Sequence, residues 1–402
     1  MYDVKERFLR YVAIDTQSAE ESDTVPSTLR QLDLARLLRD ELKEMGACGV
    51  QLDEHGYVTA RIPANTGEKR PVLGLIAHVD TSDAVSGADV RPVVTPDYDG
   101  GDIAMGPGYT LSPKEFPDLL KHKGQEIICT DGSTLLGADD KAGVAEIMAA
   151  AKLLLAPDAP AHGDVRICFT PDEEVGGGAA YFDVAGFGAD FAYTVDGGEL
   201  GEINFENFNA ANAVLTVRGT SIHPGSAKGK MVSAALVAME FQSLLPAHMD
   251  PSCTEKYEGF YHLTQLTASV DTARAVYIIR DHDRALFEQK KRFFMRAADF
   301  LNEKYGAGTV TAELTDTYSN MREKIDPKLV ELAAGAMRAC GVEPIVRPIR
   351  GGTDGATLSY KGLPCPNLST GGYNFHGRYE FIPTEAMEKM TEILVRIAAV
   401  VR

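Results

Sequence analysis

Apolar runs that end in polar residues and glycines recur along the first half of the chain. One run ends at His78 and Asp80, and a second continues into the three consecutive acids at 172–174. A third run ends at Asp196 and is followed by two glycines. Open α/β sheets place their ligands at the carboxyl ends of strands, so these termini can converge in space although they are far apart in sequence.

Regular elements can be placed around these termini from the period of the apolar positions. The predicted elements of the first half are helices at 3–12, 28–46 and 144–155 and strands at 57–62, 71–80, 165–170 and 191–195. Residues 81–130 are rich in Gly and Pro and predict loops. Near the carboxyl end, two further helices are predicted at about 327–339 and 384–400.

The pattern changes near residue 210, where short alternating segments replace the buried runs. The predicted order is a strand at 213–217, a helix at 231–245, strands at 260–268 and 274–280, a helix at 284–304 and a strand at 309–315. That βαββαβ order is the ferredoxin-like arrangement. We therefore expect an inserted α+β domain at 210–318, which divides the catalytic domain into 1–209 and 319–402. Asp283 is expected to cap the helix that follows it.

Composition limits the classes of function. The chain has 402 residues, which favours two domains, and 44% of its residues are hydrophobic. Its 58 acids and 40 bases give a net charge of -18, and no basic stripe is visible, so we expect no nucleic-acid partner. No apolar run is long enough for a membrane span, the first residues do not form a signal peptide, and the six cysteines form no CxxC pair. A cytoplasmic protein with reduced thiols and no membrane partner is expected.

Two pairs of polar residues carry candidate chemistry. His78 and Asp80 lie two apart, so on a strand both point to the same face; one can bind metal while the other fixes the imidazole tautomer. The alternative is a satisfied core histidine. Asp139 and Asp140 stand at a helix entrance, where an N-cap needs only one Asp. A bridging metal ligand is the more specific interpretation of this pair.

Three consecutive acids, Asp172, Glu173 and Glu174, precede Gly176 to Gly178. Like charges at one loop repel one another, so a nearby cation is a simple explanation, and zinc or a hard metal is the cation that carboxylates usually hold. The alternative is a solvated acidic loop.

A second glycine-rich segment lies at 348–355. It lacks the spacing of the known phosphate-binding loops, so a phosphate cradle is weakly supported. An anion-binding turn that presents Arg350 to a carboxylate fits the segment better.

Taken in order, the motifs resemble those of a known enzyme family. They are His78-x-Asp80, Gly137-Ala-Asp-Asp-Lys141, Asp172-Glu-Glu-Val-Gly176, Asp196-Gly-Gly and Asn374-Phe-His-Gly377. This order is similar to that of the di-zinc aminoacylase/carboxypeptidase-type metallopeptidases, and within them to the tripeptide aminopeptidases. The resemblance runs essentially end to end. It implies an α/β catalytic domain whose mixed central sheet is flanked by helices, together with the inserted ferredoxin-like domain.

The resemblance also implies a ligand set for two zinc ions per chain. One zinc would be held by His78, Asp139 and Asp196. The other would be held by Asp139, Glu174 and His376, so that Asp139 bridges the two ions. A cis peptide bond after Asp139 is implied as well.

Further roles follow from the same resemblance. Asp80 would orient His78, and Glu173 would be the general base that takes a proton from the attacking water and returns it to the leaving amine. His223 would stabilise the oxyanion, from its own chain or across a dimer interface. The residues implied to hold the substrate backbone and carboxylate are Arg280, Asn320 and Arg350.

These expectations combine into a cytoplasmic di-zinc aminopeptidase that removes the N-terminal residue from short peptides with a free N-terminus, preferentially tripeptides. The nearest rivals are a related dipeptidase, carboxypeptidase or N-acyl amino acid deacylase. A rival of another class is a non-catalytic peptide-binding protein that keeps the fold. A homodimer through the inserted domain is left open by the sequence.

Overall fold

The structure is a computed structural model that describes residues 3–401. The chain forms two compact units. The first contains the residues up to Phe205, Lys324–Arg347 and the residues from Thr353 onward, and the second contains Glu206–Glu323 and Pro348–Gly352.

The described residues form β-strands, α-helices and short 3-10 helices with the following bounds. The strands are β1 Cys48–Leu52, β2 Val58–Ile62, β3 Leu73–His78, β4 Pro92–Thr95, β5 Ile103–Gly106, β6 Tyr109–Leu111, β7 Ile127–Thr130, β8 Val165–Thr170, β9 Phe191–Val195, β10 Glu202–Asn204, β11 Asn209–Arg218, β12 Phe260–Ala268, β13 Thr272–Asp281, β14 Val310–Tyr318, β15 Ile345–Val346, β16 Asn367–Leu368 and β17 Phe381–Pro383. The α-helices are α1 Val4–Val12, α2 Gln31–Glu44, α3 Ala138–Leu154, α4 Val184–Phe187, α5 Ala234–Leu244, α6 Arg284–Tyr305, α7 Pro327–Ala339, α8 Asp354–Tyr360 and α9 Thr384–Val400. Short 3-10 helices lie at Pro117–His122, Pro224–Ser226, Ala247–Met249, Pro251–Cys253 and Met321–Lys324.

A mixed eight-stranded sheet forms the centre of the first unit, as the sequence predicts. Its strand order is β1-β2-β8-β3-β9-β16-β10-β15. The central pairs β8–β3, β3–β9 and β9–β16 are parallel, whereas β1–β2, β2–β8 and β16–β10 are antiparallel. Every residue of β3 and β9 is buried. Since the parallel strands end at the same edge, the residues that follow β3, β8 and β9 are brought to one place.

Helix α3 packs against α1, α9 and β3 and is buried on almost all sides, which its Ala-rich sequence permits. It begins at Ala138, six residues before the predicted start. The helix is kinked where Asp139 and Asp140 have non-helical backbone angles. The earlier start therefore includes a distorted first turn that apolar periodicity alone does not reveal.

The segment 81–130 differs from its predicted loop structure. It contains β4, β5, β6 and β7, of which β5 and β6 form a hairpin. Strands β4 and β7 join β17 in a three-stranded antiparallel sheet. Each of these strands has only three or four residues, too few for alternation to be recognised, and β17 lies about 250 residues further along the chain.

The second unit has the element order β11-α5-β12-β13-α6-β14. Its four strands form an antiparallel sheet in the order β12-β13-β11-β14, and α5 and α6 both contact β13. Three aromatic rings, Phe241, Tyr277 and Phe294, meet in the core between helices and sheet at centroid distances of 4.7–5.9 Å. Asp283 Oδ1 accepts a hydrogen bond of 2.8 Å from Leu286 N, which confirms the predicted cap of α6.

Two global features bear on the expected class of protein. No helix found between residues 3 and 401 has both the length and the apolar character needed to cross a membrane. All six cysteines are free thiols, as expected from their spacing.

Close packing of α3 on the sheet depends on one glycine. A Cβ atom built on Gly143 would lie 2.0 Å from the carbonyl oxygen of Val195, the last residue of β9. It would also lie 2.4 Å from Asp140 Oδ1. Neither distance is tolerable for a carbon atom, so only glycine lets the first turn of α3 lie directly against the end of β9.

We expect Gly143→Ala to lower the free energy of unfolding by roughly 1–3 kcal/mol, because the added methyl group meets backbone that cannot move aside easily. Urea denaturation of the metal-free protein measures this as a lower midpoint at an unchanged slope. Gly335→Ala is the matched control, since Gly335 is an exposed position in α7 with nothing within 4 Å of a built Cβ. That change should raise the free energy of unfolding by up to about 1 kcal/mol. Equal behaviour of the two variants would contradict the packing argument.

Candidate active site

Three neighbouring parallel strands carry polar residues at their shared edge. His78 is the last residue of β3, Glu173 and Glu174 follow β8, and Asp196 follows β9. His78 is 2% exposed, so its imidazole is enclosed by protein. The convergence expected from the sequence is therefore present in the folded chain for these four residues.

Two further residues reach the same edge from other segments. Asp139 lies in the distorted first turn of α3, and the Asp139–Asp140 peptide bond is cis, as the resemblance implied. His376 lies in a loop between β16 and β17, and both His376 and Asn374 have left-handed backbone angles, with φ of 60° and 57°. These turns direct the imidazole of His376 at Asp139, with 3.2 Å between Nε2 and Oδ2.

Asp139 lies between the two histidines. Its Oδ1 is 3.0 Å from His78 Nε2, and its Oδ2 is 3.2 Å from His376 Nε2. His78 Nε2 is also 3.7 Å from Asp196 Oδ1, and His376 Nε2 is 2.9 Å from Glu174 Oε2. The five side chains thus form two overlapping groups that share Asp139.

Asp80 links the acidic loop to His78. Its Oδ1 accepts from Glu173 N at 3.0 Å and its Oδ2 accepts from Glu174 N at 3.2 Å. His78 Nδ1 lies 3.0 Å from the Asp80 carbonyl oxygen and 3.2 Å from Oδ1. Since both oxygens are acceptors, Nδ1 is a donor. Burial alone would lower the pKa of His78, but its hydrogen bonds to Asp139, Asp196 and Asp80 raise it, so in the metal-free protein Nε2 donates to Asp139.

Asp172, the first of the three consecutive acids, does not join this cluster. Its Oδ2 accepts from Ser27 N at 2.7 Å, and its Oδ1 accepts from Gln31 Nε2 at 2.7 Å. The backbone of Asp172 has a φ of 57°, which turns it away from the direction of the two glutamates. Asp172 therefore anchors the loop that carries Glu173 and Glu174.

Two buried acids near the cluster were not assigned from the sequence. Asp140 Oδ2 accepts from His78 N at 3.1 Å and Oδ1 accepts from Gly143 N at 3.2 Å, so it holds the end of β3 against α3. Asp354 accepts from Thr170 Oγ1 at 3.2 Å and lines a small cleft with Glu173. The doubled Asp at 139–140 is a sequence signal for Asp140, whereas Asp354 lies in a glycine-rich segment whose pattern gives no signal of a buried acid.

The electrostatics of the cluster follow from burial and crowding. Burial raises the pKa of Glu173 and of Asp196, and the neighbouring carboxylates raise both further. Burial also raises the pKa of Glu174. Hydrogen bonds to Asp139 and Glu174 raise the pKa of His376 to about 11. The pKa of Asp139 is lowered despite its burial, because both histidines donate to it.

The donor set fits divalent cations. Three groups each offer one ligand atom per residue, all within 4.8 Å of one another: His78, Asp139 and Glu174; His78, Glu173 and Asp196; and Asp139, Asp140 and Asp196. Carboxylate oxygen and imidazole nitrogen are the ligands that zinc commonly takes. A cation would also offset the repulsion that raises the pKa values of the buried acids.

The four predicted substrate-binding residues belong to the second unit. His223 is exposed, and its Nδ1 accepts from Gly225 N at 3.2 Å. Arg280 Nη1 donates to Ala211 O at 3.0 Å, and the guanidinium lies 5.3 Å from the ring centroid of Tyr318.

Asn320 and Arg350 are also occupied by contacts within that unit. Asn320 Nδ2 donates to His282 O at 3.1 Å. Arg350 Nη1 donates to Lys256 O at 2.8 Å and to Glu258 O at 2.9 Å, and its guanidinium lies over two phenylalanine rings. The substrate roles of these four residues stay predictions.

Comparison with known proteins gives consistent matches along the whole chain. Residues 135–400 match the sequence model of peptidase family M20/M25/M40. A curated protein of Clostridium acetobutylicum named Peptidase T is 54% identical over 401 residues, which are 99% of this chain and 98% of that protein.

Solved structures share the fold. The aminopeptidase PepT of Bacillus cereus superposes with a TM-score of 0.79 at 22% identity, covering 98% of this chain and 97% of that one. The YXEP protein of Bacillus subtilis, described as a dinuclear metal binding peptidase from the M20 family, superposes with a TM-score of 0.67 at 16% identity, covering 99% and 98%.

We expect metal binding at this cluster to release protons. In the metal-free protein His376 keeps its proton far above neutral pH, because Asp139 and Glu174 accept from it, and a metal ion must displace that proton. Affinity should therefore rise with pH, with release on the order of one proton or more per chain at pH 7. Zinc titrations by calorimetry in buffers of different ionisation enthalpy give the number released.

The same titrations with His376→Gln should show fewer protons released and weaker binding. His248→Gln is the matched control, since His248 is an exposed histidine to which no role at the cluster is assigned. Heats that do not depend on the buffer in the wild-type protein would contradict the assignment of the His376 proton.

Proposed function

Because this chain belongs to peptidase family M20/M25/M40, we propose that it is a zinc-dependent aminopeptidase that removes the N-terminal residue from tripeptides. Family membership makes the chain a peptide hydrolase. The observation that carries the finer proposal is the position of Asp139, whose two carboxylate oxygens face His78 and His376, with the half-buried Glu173 in the same cluster.

Two zinc ions are the proposed cofactors. His78, Asp139 and Asp196 would hold one ion, and Asp139, Glu174 and His376 would hold the other. The histidine–carboxylate distances within these two sets are 2.9–3.7 Å, and the dinuclear description of the Bacillus subtilis protein supports a pair of ions. Ions bound there would polarise the scissile carbonyl and lower the pKa of the attacking water.

Glu173 is the proposed general base. Its backbone is fixed by Asp80, and burial raises the pKa of its carboxyl, which makes the carboxylate a stronger proton acceptor. Glu173 takes a proton from water as the water oxygen bonds to the carbonyl carbon. It then gives that proton to the amine nitrogen as the carbon–nitrogen bond breaks. Asp80 also keeps the proton of His78 on Nδ1.

The substrate proposal rests on the name Peptidase T of the relative that is 54% identical. Short peptides with a free N-terminus are the proposed substrates. In the second unit we propose His223 as the oxyanion donor, and the proposed contacts to the substrate backbone and carboxylate are Arg280, Asn320 and Arg350. A cytoplasmic location and a homodimer through the second unit complete the proposal.

Two neighbouring substitutions separate the base from the ligand. We expect Glu173→Gln to keep both metal ions and to lower kcat by roughly 10²- to 10⁴-fold, because the amide cannot accept the proton. We expect Glu174→Ala to lower metal occupancy, because a ligand oxygen is removed. Metal content by mass spectrometry and turnover are measured on the same samples, with the exposed Glu54→Gln as control. Equal metal loss in both variants would remove Glu173 from the role of base.

A peptide panel tests the reaction and the preferred length. The zinc-loaded protein is incubated with a free tripeptide, its N-acetylated form, a dipeptide and a tetrapeptide, and products are identified by mass spectrometry. We expect release of the first residue from the free tripeptide alone. The Glu173→Gln protein, purified in the same way, controls for contaminating peptidases.

Other products would assign a different activity. Cleavage of the acetylated peptide indicates a deacylase, cleavage of the dipeptide indicates a dipeptidase, and release of the last residue indicates a carboxypeptidase. Each keeps the same metals and base. No cleavage of any peptide would contradict catalysis and favour a peptide-binding protein.

A further inference from the structure

Glu380 is a buried acid that connects two segments of the cluster. It is 1% exposed and lies four residues after His376. Its Oε2 accepts from Leu136 N and from Gly137 N, both at 2.8 Å, and its Oε1 accepts from Asp139 N at 3.0 Å. One carboxylate therefore receives three backbone hydrogen bonds from the start of α3.

These N–H groups have no partner within the helix. The first N–H groups of an α-helix lie ahead of its hydrogen-bonding pattern, and a side chain usually satisfies one of them. Gly137, the residue before α3, has a left-handed φ of 83° and provides no side-chain cap. Glu380 supplies the missing acceptors from about 240 residues away, and without it the buried N–H groups would stay unsatisfied.

The segment that carries His376 and leads to Glu380 is a closed loop. Tyr373 and Phe381 exchange two backbone hydrogen bonds of 2.9 and 3.1 Å, which close the loop that carries His376. Within it, Asn374 Nδ2 donates to Tyr379 O at 3.0 Å. Glu380 thus lies at the base of a loop closed by hydrogen bonds, so its carboxylate links the start of α3 to the segment that carries His376.

We propose that Glu380 is the positioning residue that places Asp139 between His78 and His376. Asp139 can serve both histidines only if its two carboxylate oxygens point in opposite directions, and a small rotation of its main chain would remove one of the contacts. Glu380 holds that main chain through Asp139 N. It takes no part in making or breaking bonds. As a statement about metal binding, this inference rests on the proposed zinc pair.

A carboxylate is required because both of its oxygens accept. A glutamine at this position would keep one acceptor, which we expect to stay with the two N–H groups of Leu136 and Gly137. Its amide NH₂ would then face Asp139 N, so that two donors meet. Glu380→Gln therefore keeps the size of the side chain and disturbs Asp139 selectively.

The first experiment needs no metal. Hydrogen–deuterium exchange of peptides that cover residues 136–139 is followed at constant pH in the metal-free protein. We expect faster exchange in Glu380→Gln than in the wild-type protein, because Asp139 N loses its acceptor. Unchanged exchange would overturn the proposed contact.

The second experiment measures the consequence for the metal site. Zinc affinity by chelator competition should fall roughly 10- to 100-fold in Glu380→Gln, the usual loss when a group that orients a ligand is removed. The visible spectrum of the cobalt-substituted protein should change as well, since the bridging carboxylate shifts. A role limited to stability would lower the unfolding midpoint without changing that spectrum.

Glu385→Gln is the matched control. Glu385 lies in the first turn of α9, and its carboxylate also accepts from a backbone N–H, that of Glu126 at 3.1 Å. We expect this variant to match the wild-type protein in amide exchange over residues 136–139, in zinc affinity and in the visible spectrum of the cobalt-substituted form. Glu380→Asp is a second test variant, because it keeps the charge but shortens the reach; it should behave like Glu380→Gln if position matters and like the wild-type protein if charge alone does.

The two proposals fail in different ways. If the wild-type protein binds two metal ions and Glu380→Gln keeps the same affinity and spectrum, the positioning role is wrong and the proposed function stands. If the wild-type protein binds no metal, the proposed function is wrong. Whether Glu380 holds the main chain of Asp139 is then decided by the hydrogen–deuterium exchange of residues 136–139.

Discussion

Repulsion among buried carboxylates at one edge of the sheet is the constraint on which the rest of the first unit depends. Asp139 is stabilised by two histidines, whereas burial raises the pKa of Glu173 and of Asp196. The acids that support the cluster are held largely by the main chain: Asp80, beside its contact with His78, and Glu380 accept from backbone N–H groups. Neutral donors fix the position of a carboxylate and cancel none of its charge. The negative charge of the cluster therefore still favours a bound cation, while the main chain sets the positions of the carboxylates.

The sequence predicted those elements of the fold that carry their own pattern. Strands β3, β8 and β9 are apolar runs bounded by polar residues and glycines, and α9 has a full helical period, so all four were placed within two residues. Strands β4–β7 were missed because a run of three or four residues has no measurable period. Strand β7 pairs with β4 and also with β17, which lies far along the chain. A tertiary contact of this kind cannot be recognised from local sequence.

A similar limit applies to the site. The order of motifs singled out His78 and Asp139, and the folded chain brings them together. The acidic pattern alone did not separate Asp172 from the glutamates that follow it, because its partners Ser27 and Gln31 come from a distant segment; only the resemblance gave roles to Glu173 and Glu174 and none to Asp172. Glu380 left no signal because its partners are backbone N–H groups, which every residue type except proline carries. Residues that orient ligands through the main chain are thus the part of a site least visible in a single sequence.

The chemistry of the cluster is suited to amide hydrolysis in general, so the proposed preference for tripeptides would have to come from other residues. Arg350 illustrates the difficulty: its guanidinium already donates to the carbonyl oxygens of Lys256 and Glu258. A substrate carboxylate could take those donors only if the segment 254–258 moved away. A charge-assisted pair is stronger than a hydrogen bond to a neutral carbonyl, so such an exchange is energetically reasonable. If Arg350 binds substrate, binding is therefore coupled to rearrangement of that segment, whereas the exposed His223 needs no comparable release.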